Sequence, residues 1–246
     1  MKKKHDFQLG EIVLLVALGL GGQAAPANAD DAAPDKSHYH LFNPTPREQM
    51  RELSTDRPDQ TESPYTVDAG HFQIEMDVVN GTIDHDKANG ADVRSQVWGF
   101  GGLNLKAGLC NRVDIQFVLD GYVDARSKDY VANASVRDSG FGEVQTRLKI
   151  NLWGNDVGKT AFAIMPFIKW PLPQTALRNG KTEGGIILPL AIELPAGWGL
   201  GLMTELDFVR DGSNAFDTEV LQHCHFFARH RGQSGWLRGV RCFVHS

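Results

Sequence analysis

Two serines and a histidine are the first candidates for chemistry in this sequence. A serine nucleophile needs a base within hydrogen-bond reach, and Ser95 or Ser139 together with His71 would supply those types. No motif joins the three residues, and His71 stands at the start of a predicted strand, where an ordinary surface role accounts for it. We therefore assign no catalytic residue, and the chain is not expected to be an enzyme.

A second candidate is the histidine and cysteine cluster near the C-terminus. His223, Cys224 and His225 are adjacent, and His230 follows closely. Zinc sites usually space their ligands so that a loop can fold between them, and adjacent ligands do this poorly. The three cysteines of the chain lack the regular spacing of a disulfide framework, although one bridge between Cys224 and Cys242 stays open. No metal and no cofactor is assigned.

The third and most extensive group consists of polar side chains that alternate with apolar ones. In residues 141–170 the polar positions share one parity and the mostly apolar positions share the other, up to a turn at 154–158. Such alternation predicts a β-hairpin with one polar and one apolar face. The same pattern recurs along the chain and supplies candidates for the wall of a lumen. These candidates are Glu75, Asp77, Asp114, Gln116, Glu143, Arg147, Lys149, Glu205 and Asp207.

A sheet must position these residues, and residues 70–221 contain about seven predicted strands with almost no helical periodicity. Predicted short turns alternate with predicted long loops. The short turns are at 108–112, 154–158 and 195–197, and the long loops are at 81–92, 122–139 and 171–182. Outer-membrane barrels have this asymmetry between rims, and Trp153, Trp170 and Trp198 stand at strand ends as an aromatic girdle would. The sequence therefore predicts an all-β fold, an antiparallel up-and-down transmembrane β-barrel that is incomplete in this chain.

Two irregularities interrupt the predicted strands. Phe100 and Leu103 have opposite parities, so a β-bulge at the glycine pair between them is expected to bring both to one face. Pro166 and Pro189 fall within strands, where proline removes a ladder hydrogen bond. We hypothesise that the two prolines face each other across a hairpin, which would confine the defect to one place.

The N-terminal part consists of an export signal and an irregular segment. A lysine-rich start, an apolar run at 12–18 and a small-residue cleavage site predict a signal peptide at 1–29. Residues 30–69 are rich in Pro, Asp and Thr and have no periodicity. This segment is either a solvated linker or a plug-like periplasmic segment that docks its charges in a barrel mouth. The docking candidates are Asp56, Arg57, Asp59 and Glu62.

Residues 222–246 do not continue the strand pattern. Permitted codons for this tail, read one nucleotide later, give a strand, a polar turn and a second strand, so a slipped reading frame is our hypothesis. An intact frame around codons 220–222 of the gene would refute it. Each unpaired backbone group in lipid costs several kcal/mol, so a barrel interrupted in this way is expected to be truncated and to fold poorly.

Composition narrows the partners and the compartment. A net charge of -5 argues against a nucleic-acid partner, which requires a basic face. After the signal peptide the sequence has no long apolar run, so no inner-membrane helix is predicted. The expected partners are outer-membrane lipid and an unidentified small-molecule solute, in the outer membrane of a Gram-negative bacterium. Whether the inward polar residues select solutes or only keep a barrel interior hydrated stays open. The alternative class is a soluble periplasmic β-protein that binds lipid or a small ligand.

One stretch and several short motifs resemble a known family. The stretch comprises TDRPDQTESPY at 55–65 and GHFQIE at 70–75. The motifs are Leu105-Lys106, Arg112-Val113-Asp114, Leu148-Lys149, Leu152-Trp153-Gly154-Asn155 and Gly158-Lys159-Thr160-Ala161. Over residues 54–220 the chain resembles the bacterial outer-membrane transporters grouped with the meta-pathway of phenol degradation. The resemblance implies an outer-membrane β-barrel with aromatic compounds as candidate solutes, and it brings no catalytic motif.

Overall fold

The computed structural model of the protein describes residues 34–56, 61–172, 180–195, 198–210, 216–228 and 244–245. Most of these residues lie in strands. The strands are β1 (Phe72–Asp86), β2 (Val93–Cys110), β3 (Val113–Leu119), β4 (Tyr122–Asp129), β5 (Ala134–Phe141), β6 (Val144–Trp153), β7 (Thr160–Lys169), β8 (Glu183–Glu193), β9 (Trp198–Arg210), β10 (Phe216–Ala228) and β11 (Val244–His245). Short 3-10 turns occur at Arg47–Gln49 and Ala88–Gly90. Within the described ranges, no helix has the length and apolar character needed to cross a membrane. The signal peptide predicted at 1–29 lies outside these ranges.

All strands join one antiparallel sheet. β2 pairs with β1 along one edge, and along its other edge with β3 and then β4. On the next position of the sheet, β6 pairs with β3 and β5 pairs with β4. β3 and β4 together therefore act as one long strand with a break in the middle, and so do β6 and β5. From β6 onward each strand pairs with the next one in the chain. The predicted all-β, antiparallel, up-and-down fold is confirmed as a curled half-barrel, an incomplete barrel.

On β1, β2, β3 and β6 the inward side chains are mainly polar and the outward side chains mainly apolar, whereas the inward side chains of β7 and β8 include Met165, Phe167 and Ile187. On β6, Lys149 and Asn151 are buried, whereas the next residue, Leu152, is 45% exposed. On β3, Gln116 is fully buried, whereas Phe117 is 45% exposed. The alternation read from the sequence therefore separates the two faces, and it places the polar residues inside.

A break in the strand pairing lies at Gly101, between the part of β2 that pairs with β3 and the part that pairs with β4. The register between β1 and β2 is the same on both sides of this residue, so the β-bulge predicted at the glycine pair is wrong. Gly101 instead adopts a left-handed backbone conformation with φ of 71°. Phe100 and Leu105, which flank it, are both exposed. The change of parity thus comes from a conformation that glycine adopts without steric cost, and no extra residue is inserted.

Two of the predicted long loops are largely strand. β1 extends to Asp86, and β4 and β5 occupy most of residues 122–139, so only turns at 87–92 and 130–133 remain. In these additional strand segments polar side chains occupy both faces. The sequence therefore lacks the alternation of apolar and polar residues that predicts a strand, although the backbone hydrogen bonds between strands continue. The loop predicted at 171–182 lies largely outside the described residues.

The two prolines are not opposite each other, so the hypothesis of a single defect is wrong. Pro166 pairs with Ile186 on β8, and Pro189 pairs with Met203 on β9. The β6–β7 ladder is interrupted beside Pro166 and the β7–β8 ladder beside Pro189. Proline has no N–H to donate, so each residue disrupts the ladder on one side only.

β10 runs to Ala228, beyond Gln222, where the strand pattern in the sequence stops. It pairs with β9 along its whole length, and β11 adds two residues beside it. Residues 229–243, which include Cys242, lie outside the described part of the chain. The reading-frame hypothesis stays a prediction.

Candidate functional site

The inner face gathers the side chains predicted to line a lumen. Eight of them share the inward parity of their strands, and the ninth, Glu143, directly precedes β6 with the same parity as Arg147. The eight are Glu75, Asp77, Asp114, Gln116, Arg147, Lys149, Glu205 and Asp207. Residues 51–56 and 61–68 lie against this face and hydrogen-bond to it. We call these residues the inner segment. Its contacts with the sheet define the candidate site, and whether the nine residues line a lumen stays a prediction.

Asp56 of the inner segment is buried between two lysines of the sheet. Its carboxylate accepts hydrogen bonds from Lys149 Nζ at 3.2 and 3.1 Å and from Lys106 Nζ. Glu75 also pairs with Lys106, and it accepts the backbone N–H of Asp56. Two ammonium groups and two carboxylates therefore lie within hydrogen-bond distance and balance each other in charge.

This balance keeps Asp56 ionised. Burial alone would raise the pKa of Asp56, but the ammonium groups of Lys149 and Lys106 outweigh burial, and the pKa is lowered. Removing one partner of a buried ion pair typically costs about 3–5 kcal/mol, because the other charge is left without compensation. The inner segment and the sheet therefore depend on each other at this point.

Glu62 of the inner segment forms a second ion pair, with Arg147 of β6. Gln145 accepts hydrogen bonds from Arg147 Nε and Nη2 at 3.2 and 3.0 Å and so orients the guanidinium toward Glu62. Burial and the nearby Asp56 carboxylate raise the pKa of Glu62, and the charge of Arg147 opposes this rise. Glu62 is thus held in its ionised form less firmly than Asp56 is.

Side chains of the sheet also satisfy the backbone of the inner segment. The Val67 N–H donates to Asp114 Oδ2 at 2.9 Å, and Asn151 Nδ2 donates to the Pro64 carbonyl oxygen at 2.9 Å. Buried backbone groups need partners, and a segment in irregular conformation has no ladder to supply them. The inward amide and carboxylate groups therefore make the hydrogen bonds that a neighbouring strand would otherwise make with this segment.

A further charged cluster lies at the turn between β6 and β7. Asp156 in this turn is 2.7 Å from Lys36 Nζ and 2.9 Å from Arg51 Nη1. Asp68 lies 3.3 Å from the same two side chains. Asn111, in the turn between β2 and β3, donates to Asp156 Oδ2 at 2.9 Å. Burial alone would raise the pKa of Asp156, but hydrogen bonds from Lys36 and Asn111 and the charge of Arg51 lower it. We call these five residues the rim cluster.

Sequence reasoning missed several residues of this site, and two that it named cannot be placed. Arg57 and Asp59 lie outside the described residues. The missed residues are Lys36, Arg51, Asp68, Lys106, Asn111, Asn155 and Asp156. The inward position of Lys106 follows from the strand pattern once the parity change at Gly101 is known. The rim cluster joins positions more than 100 residues apart, which no local pattern connects.

The remaining inward carboxylates lie nearer β7, β8 and β9. Glu143 is 3.7 Å from Lys169 Nζ. Asp207 is buried, and its Oδ1 has no hydrogen-bond partner among the described residues. Glu205 pairs across the sheet with Ile187, a member of a buried apolar group. This group, which we call the apolar patch, consists of Met165, Phe167, Ile187 and Met203.

The structure does not bring the candidate catalytic residues together. His71 Nε2 is 2.7 Å from the Thr45 carbonyl oxygen, and the His71 backbone pairs with Gly108 near one end of β2. Ser95 lies near the other end of β2, roughly 40 Å away along the strand. Ser139, on β5, belongs to the same distant extension. Of the His, Cys, Asp and Glu residues in the described part, no three are arranged to hold a metal ion.

Comparison with known proteins gives one match. The model of the family described as "Putative MetA-pathway of phenol degradation" matches residues 55–231. No curated protein matches the chain, and no solved structure does. The matched range begins one residue before Asp56, and it includes Glu62, Arg147 and Lys149.

Proposed function

The chain belongs to the family of the MetA pathway of phenol degradation, and from this premise we propose that it is an outer-membrane β-barrel transporter for small molecules. Family membership associates the chain with phenol degradation, and the fold is a β half-barrel. Transport, the membrane and the solute are our proposal. It places the apolar outer face in the outer-membrane lipid of a Gram-negative bacterium, and it places the solute pathway along the polar inner face.

The observation that carries this proposal is the inverted distribution of polarity. Lys149 and Asp114 are fully buried, whereas Phe72 and Ile74 are 75% and 72% exposed. A soluble β-protein buries its apolar parity, and transmembrane barrels present that parity to lipid. Leaving the apolar outer face in water would forgo about 25 cal/mol for each Å² of apolar surface. Lipid is therefore the environment that suits this sheet.

Tryptophans at the strand ends support the same orientation. Trp153 and Trp198 lie at the end of the sheet that carries the short turns, and Trp170 lies at the opposite end. Each side chain is about half exposed, and the indole N–H groups of Trp153 and Trp170 donate to threonine hydroxyls at 3.3 and 2.8 Å. An amphipathic ring with a satisfied polar edge suits the interface between lipid and water.

The inner segment gives the proposed pathway a plug. It lies on the inner face and is held there by ion pairs and hydrogen bonds rather than by strand pairing. Contacts of this kind can exchange with a solute or with water, whereas a strand ladder would have to be unzipped. We therefore propose that the inner segment restricts the pathway when docked.

Vesicle reconstitution tests the proposal. The full chain, purified from the membrane fraction, is inserted into liposomes, and swelling is measured with phenol, neutral sugars and small ions. Faster swelling than in protein-free vesicles, together with heat-modifiable gel mobility, is the expected result. Recovery in the soluble periplasmic fraction with no insertion into vesicles would overturn the proposal and favour a soluble ligand-binding protein.

A further inference from the structure

Arg147 of the sheet lies beside the apolar patch. It pairs across the β6–β7 ladder with Phe167, and both side chains have inward parity. Its ion-pair partner Glu62 has its backbone N–H 3.3 Å from Met203 Sδ. A carboxylate bound to Arg147 therefore has a buried apolar surface directly next to it.

The guanidinium of Arg147 is prepared for a carboxylate. Arginine presents a rigid fork of donors that matches two carboxylate oxygens, and Gln145 fixes the plane of this fork. Glu62 uses the site incompletely, since one of its oxygens bonds to Nη1 while Oε2 is buried without a partner among the described residues. A free carboxylate could orient itself to satisfy both oxygens.

We propose that Arg147 and the apolar patch form a binding site for a small organic anion with a carboxylate on an apolar body, and that Glu62 occupies this site when the inner segment is docked. This inference rests on the proposed transport function and names the class of solute. The anion would displace the Glu62 carboxylate from Arg147, and its apolar body would contact Phe167 and Met203. Binding of the solute would thus loosen one attachment of the inner segment.

The Asp56 position is less suited to such a solute. Lys106 and Lys149 are shared between Asp56 and Glu75, so their charge is already balanced within the cluster. The inward side chains paired with Lys106 and Lys149 on β3 are Gln116 and Asp114, which are polar. Lys169 also lies over the Phe167 ring, at 6.0 Å, but its ammonium group is paired with Glu143, which belongs to the sheet side of the site and not to the inner segment. At Arg147 the cation is paired with the inner segment and adjoins the apolar patch.

Calorimetric titration of the full chain in detergent micelles tests the site, with benzoate as the probe. Benzamide keeps the ring and lacks the charge, and acetate keeps the charge and lacks the ring. We expect both to bind at least about tenfold more weakly than benzoate, since each loses one of the two contacts. Arg147→Gln is expected to weaken benzoate binding by about tenfold or more. The control Arg126→Gln, which alters an exposed arginine on β4, is expected to leave it unchanged.

Glu62→Gln keeps the proposed site and removes its tethered competitor. We expect this variant to bind benzoate about tenfold more tightly than the unaltered chain, because a site blocked for part of the time has a reduced apparent affinity. If Arg147→Gln loses heat-modifiable mobility, that variant has not folded, and Glu62→Gln then tests the proposed site in its place. Unchanged affinity in Glu62→Gln would overturn the role of Glu62, and absence of benzoate binding in every variant would overturn the site.

Liposome swelling with the same preparations separates this inference from the function on which it rests. Swelling without benzoate binding would overturn the anion site and leave transport supported. Benzoate binding that follows the variants as expected, without swelling, would overturn transport and leave the anion site supported.

Discussion

Asp56 and Lys149 are 93 residues apart in the chain, yet they form an ion pair of 3.1 Å in which each side chain is only 1% exposed. The carboxylate comes from an irregular segment and the ammonium group from the middle of a strand. A buried pair of this kind is costly to break from either side. The position of the inner segment on the sheet is therefore set mainly by charge, and this relationship leads to the first prediction.

Asp56→Asn is expected to release the inner segment from the sheet. The substitution leaves Lys149 and Lys106 buried with one carboxylate fewer, at a cost of about 3–5 kcal/mol. Limited proteolysis of the folded chain should then cut within the inner segment much faster than in the unaltered protein. Asp124→Asn is the control, because Asp124 pairs with two exposed arginines on the extension formed by β4 and β5.

A double-mutant cycle identifies the cause of that release. If Asp56→Asn acts through the ion pair, adding Lys149→Met should recover much of the lost stability, because no unpaired charge remains buried. Additive losses in the double variant would contradict the ion-pair explanation.

The rim cluster predicts a dependence on acid. The pKa of Asp156, a residue in the turn after β6, is lowered from 3.8 in the folded chain. The ionised form is therefore favoured by folding, so its contribution is fully present above pH 3.8 and is lost as the pH falls through the lowered value. Thermal melts from pH 7 to pH 3 should show Asp156→Asn to be less stable at pH 7, by about 1–3 kcal/mol. The difference from the unaltered chain should shrink only at the acid end, and an equal difference at every pH would contradict this account.

The sequence predicted the parts of the site that depend on local alternation. Arg147 and Lys149 were assigned to the inner face because side chains in a strand point to opposite faces with a period of two. Lys106 was missed because the parity of β2 changes at Gly101, and no pattern in the sequence shows how the change is made. The ion pair between Lys36 and Asp156 joins residues 120 positions apart, so it depends on the tertiary packing that brings the N-terminal residues and the turn after β6 together. Local patterns thus predict which face a residue occupies, and tertiary packing determines its partner.

Gly121→Ala is expected to disturb the close approach of two backbone segments beside Gly101. An added Cβ at Gly121 would lie 1.9 Å from the Phe100 carbonyl oxygen, so the backbone of one strand would have to move. Gly101→Ala is the matched comparison, because its Cβ would meet nothing within 4 Å and only the positive φ opposes it, at roughly 1 kcal/mol. Urea unfolding should show a larger loss for Gly121→Ala, by about 1–3 kcal/mol as in other overpacked sites. Equal losses of unfolding free energy in the two variants would show that the backbones at Gly121 and Phe100 can move apart at little cost.

Phe117→Arg distinguishes lipid from water at the outer face. Phe117 lies near the middle of β3 and is 45% exposed on the apolar face. If that face meets the hydrocarbon core, an arginine there should destabilise the fold by about 2–4 kcal/mol, whereas at a surface in water the effect should stay within about 0.5 kcal/mol. Val136→Arg is the control, on the extension formed by β4 and β5. We expect it to be nearly neutral in both cases, because polar side chains occupy both faces of that extension and Val136 itself is exposed, which suits a position outside the hydrocarbon. Unfolding of both variants in lipid vesicles, followed by tryptophan fluorescence, measures the difference. A neutral Phe117→Arg would contradict the membrane proposal directly, because it would mean that the most regular apolar feature of the sheet does not face lipid.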